Sequence, residues 1–224
     1  MHNSIHHSAG EQLRNLVLVG LFAALGIVFQ AFSISMPLMR IGIGPIPTIV
    51  SGMLLGPVLG GITGLLKDVV GFIVAPPASG SFFPPITIIQ MLYGILPPLL
   101  LPIFRTPVDW IWGRLVPTDS IQHRGRRWLA GLPARLVTCC LVVAATQFIT
   151  GGLLMPAALN LLLDGQITSS LWLARFTTRI PQQAAFLVGY PLITYVIIEA
   201  LERVPARGAG LDFDITLVLV CQGD

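Results

Sequence analysis

The sequence has 224 residues, of which 54% are hydrophobic and 10% are charged, and its mean hydropathy is +0.82. Soluble globular chains carry about 25% charged residues, so the composition excludes that class and predicts an integral membrane protein. The net charge of +3 comes mostly from one arginine cluster. We interpret this cluster as a signal for orientation in the membrane rather than for nucleic-acid binding.

Long apolar runs without sustained alternation predict α-helices rather than an outer-membrane barrel. We expect an all-α membrane protein with six transmembrane helices and with both termini cytoplasmic. The predicted organisation is a flexible tail at 1–10, a six-helix domain at 11–204 and a C-terminal tail at 205–224. The predicted spans are residues 13–32, 47–55, 61–74, 86–101, 136–155 and 180–201.

The first span carries two small residues four positions apart, Gly20 and Ala24. Small residues at this spacing let another helix approach closely. The approaching helix could belong to this chain or to a partner protein, and the sequence leaves both open. Residues 33–46 are rich in Pro and Gly, which predicts a lid-like loop carrying Arg40.

The run from 60 to 76 is uncharged except for Lys67 and Asp68. A charge at membrane depth costs about 2.5–3.5 kcal/mol on insertion scales, so each must face protein, water or a ligand. Asp68 is therefore a candidate ligand-binding group. The alternative is a structural pair with Lys67 or Arg179; Lys67 is the poorer partner because adjacent helical residues diverge by about 100°.

Two reversals flank this run. The turn that begins at Gly56 is apolar and should be buried or at an interface, and residues 76–85 combine turn formers with aromatic rings. The helix that follows carries Thr87, Gln90 and Tyr93, spaced by three and thus along one side. Such side chains seldom face lipid, so they line a polar cavity or make helix–helix contacts.

Residues 105–135 are the one long hydrophilic connection, and their arginines predict a cytoplasmic loop by the positive-inside rule. Residues 160–169 are polar and predict an outer loop. A few basic residues fall outside the cytoplasmic side of this topology. Topology explains their positions poorly, whereas binding of an anionic ligand would explain them. These residues are Arg40, Lys67, Arg175 and Arg179.

Several phrases in order resemble the substrate-binding (S) components of energy-coupling-factor (ECF) vitamin transporters, and within them the folate-specific branch. They are RIG at 40–42, GMLLGPVLGGITG at 52–64, the acidic Asp68 and SFFPP-x-T at 81–87, with a weaker match in RIPQQ at 179–183. Pro85 stands where the family usually has Gly, which would stiffen that outer turn.

The resemblance implies a multi-pass protein of a prokaryotic plasma membrane that captures a vitamin, most simply folate, with high affinity. It would dock on a shared transmembrane scaffold subunit and two ATPase subunits. The chain has no phosphate-binding loop of the G-x-x-x-x-G-K-[ST] kind, so an ATPase would be another polypeptide. Alternatives are an S component for a different vitamin or precursor, and a membrane assembly subunit without a transport role.

We expect no enzyme, cofactor or metal site, because the predicted spans lack histidine and the cysteines lack metal-ligand spacing. A folate pocket needs a partner for the pterin N–H groups, ring contacts, and cations for the glutamate tail. The expected substrate-binding residues are Arg40, Asp68, Phe82, Phe83, Thr87, Gln90, Tyr93, Arg175 and Arg179. The expected partner-docking residues are Gly20, Ala24 and Gly56.

Overall fold

The computed structural model describes residues 9–31, 34–35, 40–74, 82–115, 124–165 and 169–203. This part of the chain is almost entirely helical, as predicted. Five of its helical stretches are long and apolar enough to cross a membrane by length and composition. The protein is therefore a multi-pass membrane protein built almost entirely from helices. Most of the predicted tails at 1–10 and 205–224 lies outside the described residues.

The first helix, α1 (Ala9–Ala31), begins inside the predicted N-terminal tail. The segment after it contains two short antiparallel strands, β1 (Ile34–Ser35) and β2 (Arg40–Ile41). Ile34 is opposite Ile41, and Ser35 is opposite Arg40. The predicted loop thus includes a small β-hairpin.

The next two helices are α2 (Pro45–Leu55) and α3 (Pro57–Val74), each starting with a proline, whose fixed φ suits a first helical position. Gly56 separates them with a φ of +90°, a conformation that favours glycine. The 11 residues of α2 extend about 16 Å, too short for a hydrocarbon core of about 30 Å. Because nearly all of α2 is buried, it forms the centre of the bundle rather than a full span.

Glycines let α2, α3 and α4 (Pro84–Leu115) touch backbone to backbone. A Cβ on Gly94 would lie 2.1 Å from the carbonyl oxygen of Gly60, and one on Gly52 would lie 2.1 Å from that of Gly94. Along α3 from Gly60 to Asp68, the contacted residue on α4 moves back from Gly94 to Thr87. The two helices are therefore antiparallel. This contact sets the register of the polar residues above it.

The predicted hydrophilic connection from 105 to 135 is helical over most of its described residues rather than a loop. α4 continues through Leu115, and α5 (Arg124–Gln147) begins at the next described residue. Arg105 pairs with Asp109 one turn later at 3.1 Å, a spacing that stabilises a helix. Polar composition indicates that a segment faces water, and a helix can face water as well as a loop can. Residues 116–123 lie outside the described part of the chain.

The predicted outer loop from 160 is also wrong at its start. After α5 comes a π-helical segment (Phe148–Leu154), then α6 (Met155–Asp164), which ends at the left-handed Gly165. Asn160 is helical and fully buried. A polar residue does not end a helix by itself, whereas glycine does so readily.

The last helix, α7 (Ser169–Arg203), runs antiparallel to α5 and α6. Trp172 donates to the carbonyl oxygen of Leu153, and Gln183 pairs with Gln147. With α3 and α4 also antiparallel, the ends of α3 and α6 and the starts of α4 and α7 lie at one end of the bundle. We call this the site end.

Candidate functional site

Each charge of the Lys67–Asp68 pair has its own partner on α4. The Thr87 hydroxyl donates to Asp68 Oδ2 at 2.6 Å, and the Lys67 ammonium donates to Gln90 Oε1 at 2.8 Å. Within the described residues, Asp68 makes no ion pair with Lys67 or Arg179. The neighbouring positions diverge, as their helical geometry requires, and Asp68 remains half-buried.

Lys67 is 1% exposed and joins several elements. Its ammonium lies 3.4 Å from the carbonyl oxygen of Gly44 at the start of α2. Its stem passes Gly26 of α1, where a Cβ would lie 2.7 Å from the lysine Cδ. These hydrogen bonds compensate the desolvation of a buried cation, so Lys67 has a structural role beside the site.

Tyr190 also holds the segment that leads into α2. Its hydroxyl donates to the carbonyl oxygen of Gly42, and its ring stacks on Phe186 with centroids 4.6 Å apart. Together with the Lys67 contact to Gly44, this bond anchors the chain between β2 and α2.

A second polar cluster surrounds Gly151 in the π-helical segment. Gln147 Nε2 donates to Gln183 Oε1 at 3.0 Å, and the Tyr93 hydroxyl lies beside Gln147 and Thr150. A Cβ on Gly151 would be 2.7 Å from Gln147 Nε2 and 3.1 Å from the Tyr93 oxygen. Tyr93 therefore faces this cluster, whereas the other two predicted polar residues of α4 face α3.

The site residues of this cluster on α5 and α7 were missed by sequence reasoning. Gln147 and Gln183 are 36 positions apart, and only the antiparallel packing of α5 and α7 brings them together. The available signals were the polar end of the fifth predicted span and the RIPQQ phrase at 179–183. Neither indicates which partner a side chain meets.

The two predicted arginines of α7 are half-buried and one turn apart. Arg179 lies close enough to interact electrostatically with both Tyr93 and Arg175. Like charges held this close favour an anion between or above them. For Arg40 the backbone belongs to β2, and its side chain lies outside the described residues.

The two phenylalanines predicted to contact the ligand differ in burial and in the residues that they contact. Phe82 is 44% exposed and meets Phe72 edge to face, with centroids 5.4 Å apart. Phe83 is partly buried and packs against the central core. Both residues precede α4 at the site end, Phe82 exposed and Phe83 packed against the core.

The predicted docking residues also differ in exposure. Gly20 and Ala24 are exposed on α1, and a Cβ on Gly20 would meet no atom within 4 Å. Ala23 next to them is buried, so the two small residues belong to an outward face. Gly56 is buried at the far end of the bundle.

Nothing in the described residues suggests a metal centre: no group of three or more His, Cys, Asp or Glu side chains comes together there. The site is instead a set of hydrogen-bonding side chains and cations held among membrane helices. Such an arrangement can hydrogen-bond a polar molecule and attract a negatively charged group.

The described residues thus form a helical membrane bundle with a polar region at one end. A family model described as "ECF transporter, substrate-specific component" matches residues 14–201. The chain belongs to this family, and the resemblance inferred from its sequence is confirmed.

Two individual proteins are similar to this chain. A folate transporter, FolT, of Clostridium novyi (strain NT) is 39% identical over 90 residues, which are 38% of this chain and 51% of that protein. The match thus spans about half the length of this curated relative. A crystal structure of FolT bound with folic acid superposes with a TM-score of 0.50 at 18% identity, covering 87% of this chain and 95% of that one. That likeness confirms the fold.

Proposed function

We propose that this chain is the substrate-capturing component for uptake of folate into a prokaryotic cell. It holds the vitamin at the site end and delivers it to an ATP-driven ECF module. The observation that carries the proposal is the carboxylate of Asp68, hydrogen-bonded to Thr87 within a membrane helix. Membership of the ECF substrate-specific family and the partial match to a folate transporter support it.

Asp68 is suited to the pterin ring. A carboxylate has about four lone-pair sites on its two oxygens, and Thr87 occupies one of them on Oδ2. The free positions accept the paired lactam and amino N–H groups of a pterin, a charge-assisted contact that is strong away from water. Gln90 completes the edge from the same face of α4, beside Lys67.

The cations are suited to the glutamate tail. Arg175 and Arg179 lie one turn apart on α7 and are half-buried, so their interaction with a carboxylate is less screened than at an exposed surface. Arg40 of β2 would approach from the hairpin. Phe82 and Phe83 would contact the aromatic part of the ligand, with Tyr93 below them.

The remaining parts of the proposal concern assembly. The outward face with Gly20 and Ala24 would dock on a transmembrane scaffold subunit that carries two ATPase subunits, with Gly56 near the far end of that contact. The arginines of α4 and α5 would lie on the cytoplasmic side with both termini. The chain itself would catalyse no reaction and need no cofactor.

The test is direct binding of folic acid to the purified chain in detergent, together with an Asp68→Asn variant. This substitution keeps the volume and removes the charge, and we expect at least about a tenfold loss of affinity, because charge-assisted bonds are worth about 1.5–3 kcal/mol. Asp109→Asn is the matched control, since that carboxylate is 52% exposed and pairs with Arg105. Unchanged affinity in Asp68→Asn would remove this residue from the site.

The role of the arginines has its own comparison. Arg175→Gln and Arg179→Gln should weaken folic acid but not 6-hydroxymethylpterin, which lacks the glutamate tail. Equal losses for both ligands would contradict the assignment. A wild-type protein that binds another vitamin and ignores pterins would support an S component of different specificity.

A further inference from the structure

The orientation of the Gln90 side-chain amide is fixed by Lys67. The Lys67 ammonium donates to Gln90 Oε1 at 2.8 Å. An ammonium group carries hydrogens and no acceptor, so it pairs only with the oxygen of an amide. A turned amide would bring its NH₂ group against the ammonium, donor against donor. Gln90 therefore holds its oxygen toward Lys67 and its nitrogen away from it.

The packing around Lys67 holds the ammonium in this position. Lys67 is 1% exposed, and its ammonium also lies 3.4 Å from the carbonyl oxygen of Gly44. A Cβ on Gly26 of α1 would lie 2.7 Å from the lysine Cδ and 3.0 Å from its Cγ, so the backbone of α1 packs directly on the lysine stem. A cation buried in this way depends on its protein acceptors. The orientation of the Gln90 amide is thus built into the fold.

The nitrogen of the Gln90 amide remains available as a donor. Gln90 is half-buried, and no acceptor within the described residues takes a hydrogen from its Nε2. The same nitrogen keeps accessible surface. Polar groups within a membrane helix seldom face lipid, so this accessible side belongs to the polar region of the site.

The carboxylate of Asp68 is the neighbouring group. Asp68 and Lys67 are consecutive on α3, and their partners on α4, Thr87 and Gln90, are one turn apart. Side chains of an α-helix lean toward its N-terminus, so the amide of Gln90 extends over the turn that carries Thr87. Residues three apart on a helix have Cβ atoms about 5–6 Å apart. An acceptor, Asp68, and a donor of fixed identity, Gln90 Nε2, therefore lie in adjacent turns of one site.

We infer that Gln90 is a specificity-determining residue that donates from Nε2 to the ring carbonyl oxygen of the ligand, and that Lys67 is the positioning residue that makes it a donor. The inference rests on the proposed function and deepens it. Asp68 accepts the ring N–H of a cyclic amide, and Gln90 donates to the carbonyl oxygen next to that N–H. The site thus selects a heterocycle with an amino group, a ring N–H and a carbonyl oxygen in a row. An analogue with a second amino group in place of the carbonyl oxygen presents a donor to a donor and is rejected.

The test compares folic acid with 4-amino-4-deoxyfolic acid, in which an amino group replaces the ring carbonyl oxygen. The measured quantity is the ratio of the two dissociation constants, for the purified chain in detergent. The wild type should favour folic acid by at least about tenfold, and equal affinities would overturn the inference. The analogue also lacks the ring N–H that Asp68 accepts. This difference acts equally in the wild type and in variants at position 90, so the change in the ratio between them isolates Gln90.

Gln90→Glu keeps the size of the side chain and gives it two acceptors. One oxygen pairs with Lys67, and the other meets the ligand. Folic acid should bind at least about tenfold more weakly than to the wild type, because an oxygen then faces its carbonyl oxygen. The 4-amino analogue should bind at least as tightly as to the wild type. Gln12→Glu is the matched control, since it makes the same change at an exposed position on α1 and should leave the ratio unchanged.

Lys67→Met tests the positioning role and covers the case in which Gln90→Glu fails to fold. It removes the ammonium and keeps an unbranched stem against Gly26. The amide can then turn its oxygen to the ligand, so the preference for folic acid should fall severalfold. A merely structural role of either residue would weaken both ligands equally. An unchanged ratio in either folded variant would overturn the inference and leave folate capture standing, whereas failure of the wild type to bind folic acid would overturn the proposed function and this inference with it.

Discussion

The contact between α3 and α4 predicts a large effect from one methyl group. In Gly94→Ala, the new Cβ would lie 2.1 Å from the carbonyl oxygen of Gly60 and 2.2 Å from its carbonyl carbon. Both atoms are backbone, so no side-chain rotation relieves the overlap. To reach an ordinary contact of 3.4 Å, the Cβ and the oxygen would have to separate by about 1.3 Å from 2.1 Å.

Such overpacking costs typically about 1–3 kcal/mol in a close-packed interior. Gly189→Ala is the matched control, since that glycine lies within a helix and its Cβ would meet no atom within 4 Å. Both substitutions gain about 1 kcal/mol of helix propensity, so the difference between them isolates the clash. With about 2–4 °C per kcal/mol for a chain of this size, Gly94→Ala should melt roughly 5 °C below Gly189→Ala.

The assay is thermal unfolding of both variants in one detergent, followed by folic acid titration. Separation of the helices would also stretch the 2.6 Å bond between Thr87 and Asp68, so we expect weaker binding in Gly94→Ala only. Equal melting temperatures and equal affinities would refute the argument that this backbone contact sets the register of the site.

Three further predictions concern other contacts. Tyr190→Phe keeps the ring stacking and removes the bond to Gly42, so it should cost about 1 kcal/mol in thermal unfolding; no loss would show that α2 needs no such anchor. Ser51 and Thr63 share a buried hydrogen bond of 2.7 Å, so Ser51→Ala and Thr63→Val should each destabilise, with a double variant less destabilised than their sum; additive values in the double-mutant cycle would contradict this. Ala24→Trp should leave folic acid binding intact and block uptake in cells, because the residue faces outward; loss of binding would indicate internal packing instead.

Hydropathy predicted the membrane class and most helix centres but misplaced helix ends. Arg105 and Asp109 stand inside α4, and Asn160 stands inside α6. Polarity reports what surrounds a residue, whereas helix termination depends on capping and on residues such as Gly165 with its left-handed backbone. A change in polarity and the end of a helix therefore coincide at only some positions in the chain.

The sequence singled out polar residues on α3 and α4 as candidate site members, but it did not predict which of them pair with each other. Asp68, Thr87 and Gln90 were expected to share one ligand edge, and the structure gives Thr87 to Asp68 and Gln90 to Lys67. Tyr93 turns to α5 instead. A spacing of three along a helix drifts around its axis, so six residues suffice to change the neighbouring helix.

The amino-acid sequence alone determined that this protein is a membrane protein. It also determined that the charge of Asp68 needs a polar or charged partner, because the cost of placing a charge in hydrocarbon depends on the residue itself. The tertiary structure decided which groups meet. Gln147 and Gln183 become neighbours only through helix register, the π turn and the absence of a side chain at Gly151. Those are properties of packed helices, and no local pattern of residues contains them.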